Sequence, residues 1–170
     1  MRNKLKATRL QLYTFLASMP IIDVILNYIL YDEQLFRDWR IWLFSFPLIY
    51  LIGLGSWKGH VMIANLVNNR YPNLKQTRKR LLILGFSVLP FMSLCMLLIF
   101  FFYDALHILG YVVDTDDLKS GLITGFSINI IFETLYQADF VLEKYKESVE
   151  EKKDLQELTL QSEFDTLKNQ

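Results

Sequence analysis

Six polar or charged side chains stand inside otherwise apolar stretches of this chain, where they could do chemistry. Asn129, Glu133 and Gln137 are spaced i, i+4, i+8, which puts them on one face of a helix. Asp23 and Asn27 form a similar i, i+4 pair near the other end of the sequence. A carboxylate near the middle of a membrane span costs ~2.5–3.5 kcal/mol on insertion scales, so it faces a protein neighbour or water rather than lipid. Two roles follow: a ligand, ion or proton site between the first and fourth apolar segments, or interhelical hydrogen bonds that fix packing at ~0.6 kcal/mol each. Lys58 falls at about the depth of Glu133. It either pairs with that carboxylate or snorkels to the headgroups. His60 and His107 have no Cys, His or carboxylate partner at metal-ligand spacing, so no metal is expected and both read as interfacial residues. His107 could sense external pH alongside Asp104 and the aspartates of the third loop, histidine being the side chain whose charge changes near neutral pH. A single cysteine, Cys95, inside the longest apolar run cannot form an intramolecular disulfide. None of these residues forms a soluble enzyme's catalytic constellation.

The elements that must position them are long and apolar. Of 170 residues, 52% are hydrophobic and 15% aromatic. Leu81 to Tyr103 is 23 residues without one charge, where a bilayer core asks for ~20. Leu10 to Tyr31 carries only Asp23, and Ile41 to Trp57 is uncharged, with Gly59 to Asn69 continuing it beyond Lys58. Leu118 to Leu142 holds Lys119 at its start and Glu133 and Asp139 in its second half. The runs are too long for strands, lack two-residue alternation, and could not leave sheet edges in lipid. The expected fold is all-α and polytopic, with four transmembrane helices over about 10–31, 41–66, 81–104 and 118–142. Residues 1–142 then form a membrane domain and 143–170 a cytoplasmic linker helix.

Charge is balanced at eighteen basic and eighteen acidic residues, so no global field points to nucleic acid. It is segregated, however. Arg2, Lys4, Lys6 and Arg9 precede the first span, and Arg70, Lys75, Arg78, Lys79 and Arg80 lie between the second and third. The loop from Asp104 to Leu118 has Asp114, Asp116 and Asp117 and no Lys or Arg. The positive-inside rule then places both termini and the middle loop in the cytoplasm. The first apolar segment is too long for a signal-peptide core and lacks a cleavage site, so it reads as an uncleaved helix. The outer loops, of about 9 and 15 residues, leave no room for a folded external ligand domain.

Pro20, Pro47 and Pro90 fall inside spans and invite kinks. Gly55/Gly59 and Gly121/Gly125 are small-xxx-small pairs suited to close helix approach. Trp39, Trp42, Trp57, Tyr31 and Tyr103 sit where an aromatic belt would. Arg78 to Arg80 read as orientation determinants first and anionic-lipid contacts second.

Glu143 to Gln170 has five lysines, eight acidic residues and no Pro or Gly, a helix-forming composition. Leu142, Tyr145, Val149, Leu160, Phe164 and Leu167 recur at three- or four-residue steps, except that Lys153 and Gln156 occupy the seam in between. With no stop signal after the fourth span, the expectation is one helix running into a parallel coiled coil with a polar interruption. A solvated amphipathic tail is the alternative.

The tail from Leu155 to Gln170 resembles the linker of LytS-like bacterial sensor histidine kinases, which partner LytTR-type response regulators. In that family a segment like Leu167-Lys168-Asn169-Gln170 runs into an Asn-Pro-His-Phe phosphoacceptor motif. Tyr71-Pro72, Thr77 to Leu81 and Gly110-Tyr111 look like parts of the family's membrane module. The resemblance implies a sensor and dimerisation module, homodimeric, whose fourth span signals to a kinase core. Neither His60 nor His107 has a phosphoacceptor context and no glycine-rich ATP lid appears. It therefore implies no catalytic residue or cofactor in this chain, with ATP, Mg and the response-regulator contact belonging to the core of a longer parent. Two other readings compete: a small transporter or channel using Asp23 and Glu133, and a membrane-anchored scaffold.

Overall fold

In the computed structural model, residues 7–168 are described, and their regular structure is helical throughout. Four long helices carry the fold: α1 Arg9–Tyr31, α2 Phe46–Arg70, α3 Thr77–Ala105 and α4 Thr115–Lys168. α1 starts on a capping box, with the Gln11 amide donating to Thr8 Oγ1 at 3.2 Å and the Thr8 amide to Gln11 Oε1 at 2.9 Å. Each helix packs on its chain neighbour and α4 closes against α1, giving a four-helix bundle.

Three stretches, Arg9–Phe36, Ile41–Arg70 and Leu74–Ala105, are long and apolar enough to cross a membrane. α4 is the least apolar of the four: Asn129, Glu133, Gln137 and Asp139 interrupt its first part and a highly charged run from Glu143 follows. The bundle is inverted relative to a soluble one. Ile21, Leu51, Leu82, Phe86 and Ile123 face outward and are more than 60% exposed, whereas Asp23, Asn27, Ser45, His60, Arg80, Asn129 and Gln137 are buried. Burying so many polar groups while exposing large apolar ones is tolerable only where the surroundings are themselves apolar.

α1 and α3 run unbroken through Pro20 and Pro90. Pro47 instead stands at the start of α2, immediately after a π-helical turn over Ile41–Ser45. Proline's missing N–H removes one i to i−4 bond, and a wider turn accommodates that. The connections at one end of the bundle, between α1 and α2 and between α3 and α4, hold every positive-φ residue among those described: Asp32, His107, Leu109 and Gly110. They are braced by Tyr31 Oη donating to the Ile108 carbonyl at 2.9 Å and by the Val113 amide donating to Asp104 Oδ1 at 2.8 Å. The other end carries the α2–α3 connection and the long extension of α4.

That extension is unsupported. Every residue from Glu151 to Asp165 is exposed, and α4 continues through it without a break for 54 residues in all, roughly 80 Å at the α-helical rise.

Candidate functional site: two polar clusters and a central cavity

Four of the six expected polar residues, Asp23, Asn27, Glu133 and Gln137, fall into two clusters, not one. Asp23 and Asn27 are 3% and 0% exposed on α1. Asn27 Nδ2 donates to Asp23 Oδ1 at 3.0 Å and to the Asp23 carbonyl at 2.9 Å. The Ser45 hydroxyl donates to Asn27 Oδ1 and lies 2.9 Å from Tyr103 Oη. The π turn before α2 is what brings Ser45 here, so α1, α2 and α3 are joined by four side chains.

The second cluster is deeper along α4. Glu133 Oε2 is 2.8 Å from His60 Nε2 on α2, and Glu133 Oε1 accepts from Gln137 Nε2 at 3.0 Å. Gln137 also donates to Asn68 Oδ1 at 3.3 Å and accepts from Arg80 Nε at 3.1 Å. Arg80 is wholly buried, donates to the Tyr71 carbonyl at 3.2 Å and lies 4.4 Å from the centre of the Phe140 ring. The i, i+4 spacing of Glu133 and Gln137 thus ties α4 to both α2 and α3.

Several expectations change. A single site shared by Asp23 and Glu133 does not form. α1 and α4 run in opposite directions, and counting from the end they share puts the two carboxylates roughly 15 Å apart in depth. Lys58 does not pair with Glu133. It lies two residues from His60, about 200° around the helix, and is exposed while His60 is buried. The exposed Lys58 matches the snorkelling alternative. His60 is therefore a cluster member rather than an interfacial residue, and Arg80 is a core side chain rather than a loop charge. Asn129 is 6% exposed and its amide donates to the Gly125 carbonyl of its own helix at 2.7 Å. Among the described residues no three His, Cys, Asp or Glu side chains are grouped to hold a metal ion.

Gly59 and Gly121 receive the Phe91 and Phe100 rings, and Gly53 and Gly125 the Met19 and Met96 side chains. Gly55 has nothing within 4 Å of where a Cβ would stand. Close approach therefore involves a side chain on a glycine more than backbone on backbone.

Between the clusters, all four helices line a cavity of about 100 Å³. Its wall is apolar, with His60, Asn129 and Trp57 at its polar margin. Phe15 stacks on Trp57 with centroids 4.7 Å apart.

On the tail, Leu142, Tyr145, Val149, Leu160, Phe164 and Leu167 are exposed, as are Lys153 and Gln156. Leu155 and Leu158, outside the expected seam, are exposed too.

Comparison with family models, curated proteins and solved structures finds no match to this chain.

Proposed function

We propose that the chain is the membrane sensor and dimerisation module of a two-component histidine kinase. α4 crosses the bacterial inner membrane as a fourth span, and its extension carries the bundle's state to a downstream kinase core. The observation that carries this reading is the continuity of α4. One helix holds Glu133 and Gln137 in the buried cluster and then runs exposed from Glu151 to Asp165 without a break.

Several features support the parts. The outward face of α4 is apolar at Ile123, Phe126, Ile130, Ile131 and Leu135, as a lipid-facing helix requires. The cationic residues of the middle connection and the acidic third connection orient both termini to the cytoplasm. The exposed apolar residues of the extension give a second copy a surface to bury, making a parallel homodimer. Lys153 and Gln156 weaken one register of that pairing and keep another within reach. The tail's likeness to LytS-like linkers supplies the class of partner, a LytTR-type response regulator met by a kinase core that also binds ATP and Mg.

The test has two stages. The coding sequence is read beyond Gln170; an Asn-Pro-His-Phe-like motif is expected. A stop codon there would end the kinase reading and make liposome flux the next assay. The parent protein is then reconstituted in nanodiscs with Lys153→Leu and Gln156→Leu together. Autophosphorylation is expected to lock in one state, high or low, whereas unchanged regulation refutes transmission through the seam.

A further inference from the structure

The sensor reading says nothing about where a stimulus would be received, and the central cavity supplies a place. It lies on the bundle axis, bounded by all four helices, so an occupant would touch every element whose packing could change. An engineered cavity of ~150 Å³ with a purely hydrocarbon wall binds benzene, and the wall here is mostly apolar too, with Ser18, Ser56, Trp57, His60, Asn129 and Tyr136 as its polar lining. The volume here, about 100 Å³, is of that order.

Its wall is also adjustable. Met19 and Met96 line it and lie against Gly53 and Gly125, which offer no side chain of their own. Methionine's unbranched, flexible side chain lets such a wall repack around guests of different outline.

One polar atom is left over. The indole Nε1 of Trp57 is buried and has no hydrogen-bond partner. The Tyr136 side chain interacts with it, but at a geometry short of a full hydrogen bond, so a guest's acceptor would compete with Tyr136 for it. The polar groups around it are otherwise engaged: His60 with Glu133, and the Asn129 amide with the Gly125 carbonyl. A buried N–H without a partner costs free energy that an incoming acceptor recovers.

We propose that this cavity binds a compact, membrane-soluble molecule of about one ring in size carrying a single hydrogen-bond acceptor, which the Trp57 indole N–H recognises. The proposal deepens the sensor reading and rests on it for the meaning of the ligand as a stimulus. Binding itself is a property of the bundle and needs no kinase core.

The experiment uses this chain in nanodiscs and fluorine NMR of two near-isosteric probes, para-fluoroacetophenone and para-fluoroethylbenzene. Empty nanodiscs give the partition background. The ketone is expected to bind saturably above that background, and the hydrocarbon roughly fivefold more weakly, the worth of about one hydrogen bond. Trp57→Phe should bring the ketone down to the hydrocarbon's affinity while leaving the hydrocarbon unchanged. Ser56→Leu, which fills the cavity, should abolish saturable binding of both. Partition no different from empty nanodiscs overturns the proposal. So does saturable ketone binding that survives Trp57→Phe undiminished, which places the guest elsewhere. Neither result bears on whether a kinase motif follows Gln170, so the two readings fail separately.

Discussion

Replacing Gln137 with leucine tests whether the buried cluster holds α4 to the bundle. The two side chains are close in size, so the change is mainly the loss of three hydrogen bonds: from Arg80 at 3.1 Å, to Glu133 at 3.0 Å and to Asn68 at 3.3 Å. In an aqueous protein, two bonds to charged groups at ~1.5–3 kcal/mol and one neutral bond at ~0.5–1.5 would total at least ~3.5 kcal/mol. In a membrane the unfolded reference also finds partners, and the average falls to ~0.6 kcal/mol per bond with a maximum near 1.7. Three average bonds give ~2 kcal/mol. Arg80 pushes the result above that floor, because leucine leaves a wholly buried guanidinium without its Nε acceptor. The expected loss is therefore about 2–4 kcal/mol. Steric trapping of the reconstituted chain measures it directly. Thr134→Val is the matched control: it is isosteric, lies one turn away on the exposed face, and removes only a bond to the Ile130 carbonyl of its own helix. That variant should stay within ~0.5 kcal/mol. If Gln137→Leu is as mild as Thr134→Val, the cluster does not clamp α4 and the account of transmission through it fails.

Three further outcomes follow from the same geometry. In double-mutant cycles with Glu133→Gln, His60→Leu should show coupling of ~0.5–3 kcal/mol, while Lys58→Met should be additive within ~0.5 kcal/mol; the reverse pattern in unfolding measurements would assign the pair to Lys58. Gly121→Val, whose added carbon atoms meet the Phe100 ring, should cost ~1–3 kcal/mol. Gly55→Ala, with open space around it, should be neutral or stabilising by up to ~1 kcal/mol, and thermal melts of the two would separate them. At the loop end, burial raises the Asp117 carboxyl above its ordinary range even though the Tyr111 hydroxyl donates to it at 3.1 Å. A raised carboxyl holds its proton more tightly when folded, so stability falls as pH rises from the usual aspartate range through the raised value. Asp117→Asn should flatten that part of the pH–stability profile, as followed by melting at stepped pH.

The long apolar runs made the helices legible, since length and lack of alternation leave no other structure in lipid. The spacing of Asn129, Glu133 and Gln137 likewise showed one face of α4, and Glu133 and Gln137 do share partners. What spacing along one helix does not contain is the partner on another. Asp23 and Glu133 looked like one site because both are carboxylates in spans, but antiparallel directions separate them in depth. Arg80 was hidden by counting it with Arg78 and Lys79 as a loop charge. Its register told otherwise, because Arg80, Leu84 and Val88 are spaced i, i+4, i+8 and all are buried. His60 had a similar signal in Ala64 and Asn68, which continue the same buried stripe of α2. Ser45 and Tyr103 had none: their meeting depends on the π turn ahead of Pro47, a local backbone choice that no side-chain pattern announces.

The arrangement on α4 also restricts how a signal could pass along it. Gln137 is fixed on both of its polar atoms, and the Phe140 ring just beyond it lies under Arg80. A small rotation of the helix would lengthen these bonds without offering new partners, so intermediate angles are disfavoured. A full one-residue step, about 100°, replaces the polar stripe with a neighbouring one. In one sense of rotation that stripe is Ile128, Phe132 and Tyr136, which now line the cavity; in the other it is Ile130, Thr134 and Ala138. Either step breaks the cluster as a unit and brings different side chains to the axis. On the sensor reading, transmission through α4 is therefore a switch between discrete packings rather than a graded twist. The cavity enters the same argument, because a guest held against Phe132 and Tyr136 occupies the space into which a rotating helix would have to repack.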